Sequence, residues 1–271
     1  MKQPARRVVL TRPAERQVAL ARRLQDLGCD VLELLALEIK PINPGWCKPE
    51  NLPNCVDVVV FVSRAAVKHY LAALLAKYPG FVWPSSTVVA AVGHSTAHYV
   101  RESLGEQVQV ICPEAATSQD SEALWAELEP QVSAGVRVLV VRGERGREWL
   151  VRQIHSRGAS VQVLPVYRRD SAVWSEQARS KLSEWGSDGH GAGVWLVTSL
   201  EGLRAIEEQM RRHGLVSVAV MGVVVVHVRL IEPVRQWLIS QSARGAQVPV
   251  SVCSPDEESL LKGLLCLVDN L

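Results

Sequence analysis

Short apolar runs alternate with amphipathic stretches along most of the chain. The runs are rich in β-branched residues, which is typical of buried strands in parallel sheets. They are Arg7–Leu10, Asp57–Val62, Thr87–Val92, Val108–Ile111, Arg137–Val141, Val161–Tyr167, Val194–Val197, Val218–Met221 and Val248–Val252. The stretches between them have the spacing of amphipathic helices. The pattern therefore predicts an α/β fold with parallel sheets and helices on both faces.

Three segments fit this alternation less simply. Val31–Pro41 is extended but too long for one ordinary strand, so we expect it to leave one domain and enter another. Pro165 interrupts Val161–Tyr167 and favours an edge strand or a crossing linker there. Val223–Arg229 fits neither the strand nor the helix pattern.

The chain repeats itself. Arg7–Leu37 resembles Arg137–Tyr167 without a gap, with Arg7 and Arg137 130 positions apart. The runs beginning at Val58 and Val194 also match, with Ser63 on Ser199. A third pair aligns VVAAVGHSTA, from Val88, with SVAVMGVVVV, from Ser217. These matches indicate a duplicated α/β unit.

The offset of the repeat predicts two parallel-sheet domains of flavodoxin-like or Rossmann-like type, one inserted in the other. Residues 1–36 and 170–271 are expected to form the discontinuous domain, and residues 40–165 the inserted one. Residues 37–39 and 166–169 are the two linker strands. A hinge of two strands permits relative domain motion, and a cleft between domains is the default ligand site.

Composition narrows the class of protein. The 271 residues carry 30 basic and 28 acidic side chains, and the net charge of +2 gives no general field for nucleic acid. The six cysteines form no C-x-x-C pair and no zinc pattern, so reduced thiols in the cytoplasm are the simplest interpretation. No signal peptide is visible, and no apolar run is long enough to span a membrane.

Small polar residues follow most of the predicted strands. These strand exits are Thr11-Arg12, Ser63-Arg64, Gly93-His94-Ser95-Thr96, Thr117-Ser118, Arg142-Gly143 and Thr198-Ser199. Ligands of open parallel sheets bind at the carboxyl ends of strands, where helix N-termini favour anions. The exits together therefore predict a site for a polyanion.

Each exit also has a structural interpretation. A Ser or Thr before a helix is most often an N-cap. The glycine turn at Gly143 lacks the complete G-x-G-x-x-G and Walker patterns, so nucleotide binding is disfavoured. From the sequence alone, Arg142 fits a surface charge as well as a binding residue. Tyr167 fits a side chain that packs at a domain interface. The histidines His94, His98 and His227 fit structural or exposed positions better than metal ligation.

Motifs along nearly the whole chain resemble those of the uroporphyrinogen-III synthase family. In order they are V-L-T-R-P near the start, V-V-F-V-S-R-A-A-V at Val58, A-V-G-H-S-T-A at Ala91, A-T-S-Q-D at Ala116, R-G-E-R-G-R-E at Arg142, L-P-V-Y at Leu164 and T-S-L-E-G at Thr198. Each motif is weak alone, and their joint order and spacing are specific.

The resemblance implies two α/β domains joined by a two-strand ladder. It implies a lyase that closes the linear tetrapyrrole hydroxymethylbilane to uroporphyrinogen III in haem biosynthesis, losing water and inverting the last pyrrole ring. No metal or organic cofactor is implied. The substrate carries eight carboxylates, which suits helix N-termini. A cytoplasmic monomer is expected, and the preceding bilane-forming enzyme is a candidate partner.

The resemblance also implies roles for residues. Tyr167 takes the position of the family's tyrosine, proposed to help the hydroxyl leave. The matching cleft positions, together with the remaining strand exits, predict substrate contacts. They are Arg12, Ser63, Arg64, Gly93, Thr96, Thr117, Ser118, Arg142, Gly143 and Ser199. One departure concerns His227, which is followed by Val228 where the family usually has His-Pro.

Two other functions stay open from the residues alone. One is a non-catalytic two-domain hinge protein that binds a small polyanion, and it predicts binding without turnover. The other is a nucleotide-sugar transferase, which the incomplete glycine pattern disfavours.

Overall fold

The chain divides into two compact units. The computed structural model describes residues 6–13, 17–114, 120–187, 190–241 and 243–270. Unit 1 comprises Met1–Glu38 and Asp170–Leu271, and unit 2 comprises Ile39–Arg169. The chain thus passes from unit 1 to unit 2 and back.

Strands and helices alternate in both units. The strands are β1 (Arg7–Leu10), β2 (Asp30–Glu33), β3 (Leu37–Pro41), β4 (Val58–Phe61), β5 (Val88–Ala91), β6 (Val110–Ile111), β7 (Arg137–Gly143), β8 (Ser160–Ser171), β9 (Val194–Val197), β10 (Gly222–Val225) and β11 (Val250–Val252). The helices are α1 (Val18–Asp26), α2 (Arg64–Lys77), α3 (His94–Leu104), α4 (Ser121–Leu128), α5 (Trp149–Ser156), α6 (Glu176–Ser187), α7 (Leu200–Arg212), α8 (Ile231–Gln241) and α9 (Glu257–Val268).

Each unit contains one sheet, and its strands are mostly parallel. In unit 1 the strand order is β11-β10-β9-β1-β2, and every adjacent pair is parallel. In unit 2 the order is β3-β8-β7-β4-β5-β6, with parallel pairing from β8 through β6. The α/β fold with parallel sheets predicted from the sequence is confirmed.

The two sheets repeat one topology. Strands β6-β5-β4-β7-β8 of unit 2 follow the same order as β11-β10-β9-β1-β2 of unit 1. The pairs β1/β7 and β4/β9 are the segments that match in the sequence. The internal repeat therefore corresponds to a repeated arrangement of strands.

Side chains of the central strands pack on both faces of each sheet. In β9, Val194 and Leu196 belong to one core cluster, and Trp195 and Val197 belong to another. The same alternation divides β4 between two clusters of unit 2. Since successive side chains of a strand point to opposite faces, a strand covered on both sides must be apolar throughout.

The predicted strand at Val218–Met221 is wrong. The strand is Gly222–Val225, within the segment that showed no clear pattern. It pairs with β9 from Val194 onward, and Gly193 before β9 has φ 74°. Residues before Gly222 make separate backbone hydrogen bonds instead, from Ala192 N–H to the Ala219 carbonyl at 2.7 Å and from Met221 N–H to the Gly193 carbonyl at 3.0 Å.

The third repeat alignment is wrong for the same reason. The strand that corresponds to β5 is β10, so Val88 is equivalent to Gly222 in the repeated topology. The offset is then 134 positions, and Gly93 corresponds to His227. Both residues precede a helical segment directly after a strand.

Of the two alternatives for Val161–Tyr167, the edge strand is wrong, whereas the crossing linker agrees with β8, which runs on to Ser171 past the unit boundary at Asp170. Strand β8 lies between β3 and β7, and β3 occupies the edge. Pro165 is accommodated by a register shift, since Arg142 pairs with Pro165 and the next residue, Gly143, pairs with Tyr167. Val166 is therefore the extra residue of a β-bulge.

Candidate active site

Tyr167 lies in the core of unit 2, near the carboxyl end of the sheet. Its side chain is 2% exposed and packs in one cluster with Leu164 and Val166. In a regular strand, side chains alternate between the two faces, so Tyr167 would point to the face opposite that of Leu164 and Val166. The bulge at Val166 turns the Tyr167 side chain to the same face as these two residues. The bulge therefore determines where the phenol lies.

Gly143 makes room for the phenol. A Cβ at this position would lie 2.8 Å from two ring carbons of Tyr167 and 3.2 Å from its hydroxyl oxygen. The backbone N–H of Glu144 also donates to the Tyr167 carbonyl at 2.8 Å. The contact that Gly143 makes is thus with the tyrosine ring.

Ser63 meets the phenol from the end of β4. Its Oγ lies 3.1 Å from the Tyr167 hydroxyl oxygen. It is also the N-cap of α2 and accepts from the backbone N–H of Ala66 at 3.2 Å. Ser63 is half-buried and follows β4 at the carboxyl edge of the sheet, whereas the phenol that it contacts is buried.

Two charged or titratable side chains border the Tyr167 ring. The Arg169 guanidinium lies 5.8 Å from the ring centroid, and the His69 ring lies 6.1 Å from it. Sequence reasoning did not single out either residue. Arg169 follows Tyr167 by two positions on one strand, which is a usable signal, whereas nothing in the spacing indicated His69.

Arg142 lies near the end of β7, and its side chain is held by the turn that follows. Its guanidinium forms an ion pair with Glu148 and donates to the Arg147 carbonyl at 3.2 Å. The side chain is 11% exposed, and its buried Nε has no hydrogen-bond partner among the described residues. The guanidinium is therefore positioned by the turn, with a partly exposed carboxylate as its partner.

Three more predicted residues of unit 2 lie beside helix N-termini. Arg64 begins α2, is exposed, and places its guanidinium 5.1 Å from the Tyr99 ring centroid. Gly93 is the N-cap of α3, and Thr96 is buried in the first turn of that helix. The dipoles of these N-termini favour a carboxylate nearby.

Unit 1 has a corresponding edge. Ser199 is the N-cap of α7 and accepts from the Gly202 N–H at 3.0 Å, as Ser63 does for α2. Arg12 is half-buried directly after β1, which neighbours β9. Buried Thr11 donates to the Leu196 carbonyl and ties these two strands together.

His227 has a local structural contact. It is exposed and directly follows the β10 region, where its Nδ1 accepts from the Arg229 N–H at 3.1 Å. This bond caps a short 3-10 turn, Val228–Leu230. His227 therefore serves as an N-cap despite the missing proline.

The described residues form one contact cluster in unit 2 and a smaller edge in unit 1. Tyr167 contacts both Ser63 and Gly143, and Arg142 adjoins Gly143 in sequence. Ser199 and Arg12 stand on neighbouring strand ends of the other unit. The predicted contacts Thr117 and Ser118 lie outside the described residues.

The described residues offer neither a metal-binding cluster nor a membrane-spanning helix. Within them, no group of three or more His, Cys, Asp or Glu side chains could hold a metal ion. No helix in the same part of the chain is long and apolar enough to cross a membrane.

Known proteins resemble this chain in sequence and in fold. A uroporphyrinogen-III synthase of Salmonella typhimurium is 29% identical over 164 residues, or 60% of this chain. The match spans 64% of that relative's length. A solved mutant uroporphyrinogen III synthase from Thermus thermophilus has a TM-score of 0.57 at 16% identity, covering 98% of this chain and 99% of its own.

A second solved structure has the same fold. The uroporphyrinogen-III synthetase of Helicobacter pylori 26695 has a TM-score of 0.56 at 14% identity, covering 96% of this chain and 99% of its own. The family model for uroporphyrinogen-III synthase HemD matches residues 18–228, from α1 to the turn after β10. Because this match runs through both units and most of the chain, the protein belongs to the uroporphyrinogen-III synthase family.

Proposed function

We propose that this chain converts hydroxymethylbilane to uroporphyrinogen III in haem biosynthesis. The observation that carries the proposal is the family match over residues 18–228. The cluster of Ser63, Gly143 and Tyr167 at a carboxyl edge supports it, because ligands of parallel sheets bind at such edges.

The chemistry requires little acid–base help. A pyrrole nitrogen pushes electrons toward the hydroxymethyl carbon, the C–O bond breaks, and the oxygen leaves as water after taking a proton. The resulting azafulvene is attacked by the substituted carbon of the last ring, which gives a spiro intermediate. That intermediate reopens and recloses at the free carbon, and loss of a proton restores the pyrrole. The protein's main task is then to fix the fold of the bilane.

The polar strand ends would hold the substrate carboxylates. In unit 2 we assign this role to the guanidinium groups of Arg64 and Arg142 and to the α3 N-terminus at Gly93 and Thr96. In unit 1 we assign it to Arg12 and Ser199. Charge-assisted hydrogen bonds are the strong class, and a helix N-terminus adds a favourable dipole. Thr117 and Ser118 complete the set by family resemblance.

The pair of Ser63 and Tyr167 would assist departure of the hydroxyl. A phenol and a serine hydroxyl each carry one O–H donor, so the pair can donate a hydrogen bond to the departing oxygen. Gly143 would act indirectly, because it leaves the space in which the phenol ring sits.

We further propose that residues 40–165 form an inserted domain, linked to the other through residues 37–39 and 166–169. Each core cluster contains residues of one unit alone, which supports separate folding.

The protein is proposed to be a cytoplasmic monomer that receives its substrate from the bilane-forming enzyme. Free hydroxymethylbilane closes by itself to the symmetric isomer, so a short transfer between enzymes is advantageous. Analytical ultracentrifugation tests the monomeric state and the contact with the bilane-forming enzyme. The protein alone should sediment as a monomer, and a faster boundary with the second enzyme would show the complex.

The direct test of the activity is incubation with hydroxymethylbilane, oxidation of the products and separation of the porphyrin isomers. We expect the inverted type III isomer with protein and the symmetric isomer without it. Symmetric product in both samples would refute the proposed activity.

A further inference from the structure

We infer that Ser63 is the group that contacts the leaving hydroxyl, and that Tyr167 acts through Ser63 as a positioning residue. The inference rests on the proposed function and reverses the roles that the sequence predicts for these two residues. It follows from burial, hydrogen-bond accounting and the position of Ser63 at a helix N-terminus.

The hydroxyl groups of Tyr167 and Ser63 belong to residues that differ in burial. Tyr167 is 2% exposed and is enclosed by Gly143 and the unit 2 core. Ser63 is half-buried and follows β4 at the carboxyl edge. A substrate at this edge therefore meets the Ser63 oxygen before the phenol.

The number of hydrogen-bond partners determines which of the two hydroxyl groups donates to the other. Among the described residues, the Tyr167 hydroxyl has one hydrogen-bond partner, Ser63 Oγ at 3.1 Å. A buried phenol normally donates its proton to a partner. The Tyr167 O–H then donates to Ser63.

The Ser63 O–H can therefore donate to the substrate. A serine hydroxyl has two acceptor lone pairs and one O–H donor. One lone pair accepts from the Ala66 N–H at 3.2 Å, and the other accepts from Tyr167. Two accepted bonds polarise the hydroxyl and direct its own O–H away from both partners.

The helix completes the arrangement. Ser63 caps α2, a helix of 14 residues whose N-terminal dipole favours negative charge at the Ser63 oxygen. As the C–O bond of the substrate breaks, the Ser63 proton passes to the departing oxygen and forms water. The Tyr167 proton replaces it on Oγ.

The charge left by this relay falls on the Tyr167 oxygen. The Arg169 guanidinium, 5.8 Å from the ring centroid, stabilises it. The proton that the last pyrrole ring releases when it regains aromaticity returns to the phenolate through Ser63. The relay then resets, and water is the sole leaving group.

A double-mutant cycle tests this order. Turnover by Ser63→Ala, Tyr167→Phe and the double variant is compared with wild type under substrate saturation. We expect Ser63→Ala to lower kcat by about a hundredfold, at least as far as Tyr167→Phe, within the usual range for a positioned donor. Adding Tyr167→Phe to Ser63→Ala should then cost less than about threefold more, because residues of one relay are not additive.

Two further variants separate chemistry from folding. Ser63→Gly removes the hydroxyl but keeps most N-cap stability, and it should match Ser63→Ala in kcat. Ser63→Thr keeps both the hydroxyl and the cap, and it should retain most of the kcat. Asp256→Ala removes the N-cap of α9, where Asp256 accepts from the Ser259 N–H at 2.9 Å. It should lower the melting temperature and leave kcat unchanged.

The opposite pattern overturns the inference. If Tyr167→Phe costs more than Ser63→Ala and costs the same factor in both backgrounds, Tyr167 contacts the substrate itself. A wild-type kcat in Ser63→Gly would remove Ser63 from the chemistry. Wild-type protein that forms no type III isomer would refute the proposed function as well, which separates that failure from failure of the relay alone.

Discussion

At the scale of single residues, Arg142 is the clearest candidate for a substrate carboxylate. Its guanidinium is held by Glu148 and by the Arg147 carbonyl, and only 11% of the side chain is exposed. A substrate carboxylate would take the place of Glu148, whose side chain is 50% exposed and easily displaced.

Arg142→Ala should therefore weaken substrate binding. A charge-assisted hydrogen bond is worth about 1.5–3 kcal/mol, which corresponds to a rise in KM of roughly ten- to a hundredfold. Arg157→Ala is the matched control, because Arg157 follows α5 at the other end of that helix and pairs with Glu129 at 3.4 Å. Steady-state kinetics would show no change for the control. An unchanged KM and kcat in Arg142→Ala would make Arg142 a structural charge.

Gly143 offers a second test at this scale. In Gly143→Ala the new methyl would meet the Tyr167 ring at 2.8 Å, so the ring must shift within a packed core. We expect a loss of about 1–3 kcal/mol in stability and a kcat lowered at least tenfold.

Gly45→Ala is the control for this change. A Cβ there would meet Asn43 at 3.7 Å, an ordinary contact, so stability and kcat should both stay near wild type. Urea unfolding measures the stability of both variants, and turnover measures their kcat. A Gly143→Ala variant with normal turnover would show that the exact place of the phenol is unimportant.

Sequence reasoning located Tyr167 but could not orient it. The strand around Pro165 was visible, yet the face on which the phenol lies depends on the bulge at Val166. A bulge arises from pairing with β7, which is a tertiary contact rather than a local preference. The contact between Ser63 and Tyr167 spans 104 positions, and no local pattern encodes it.

At the scale of elements, one ion pair fixes the start of the central strands of unit 2. Asp57 precedes β4 and accepts from the Arg137 backbone N–H at 2.8 Å and from its guanidinium at 3.0 and 3.2 Å. These bonds hold the pKa of the Asp57 carboxyl below its usual value. A carboxyl with a lowered folded pKa stabilises the protein above its unfolded pKa of about 4.

Asp57→Asn should consequently destabilise the protein at neutral pH but not in acid. The side chains are about half exposed, so the loss should not exceed about 1 kcal/mol. Urea unfolding at pH 7 should show the difference, and it should fade as the pH falls through the folded pKa. Asp30→Asn, which removes a single bond to Lys181 at 2.7 Å, should have a smaller effect. A pH-independent difference would contradict the electrostatic explanation.

Most elements were predictable because buried parallel strands are apolar throughout. The failure at β10 shows the limit of that rule. Four residues, Gly222–Val225, form the strand, but the apolar run extends on both sides of it. Its bounds follow the pairing with β9, in which Gly222–Val225 align with Val194–Val197, and not the run itself.

At the scale of the whole molecule, the repeated topology suggests that each unit folds on its own. Each unit has its own sheet, and within the described residues no core cluster combines side chains of both units. A fragment of residues 39–169 should therefore show dispersed amide resonances and a cooperative melt. A fragment without tertiary structure would refute the proposal of an independent inserted domain.

The proposed function itself belongs to this scale, since control of the bilane's conformation is a property of the whole site. The most direct measurement is the fraction of type III isomer as the ratio of protein to hydroxymethylbilane is varied. Enzymatic and spontaneous closure compete, so we predict that the type III fraction rises from none toward completion at catalytic amounts of protein. If the protein only slows consumption of the bilane and all product stays symmetric, it binds a polyanion without converting it, and the proposed activity is refuted.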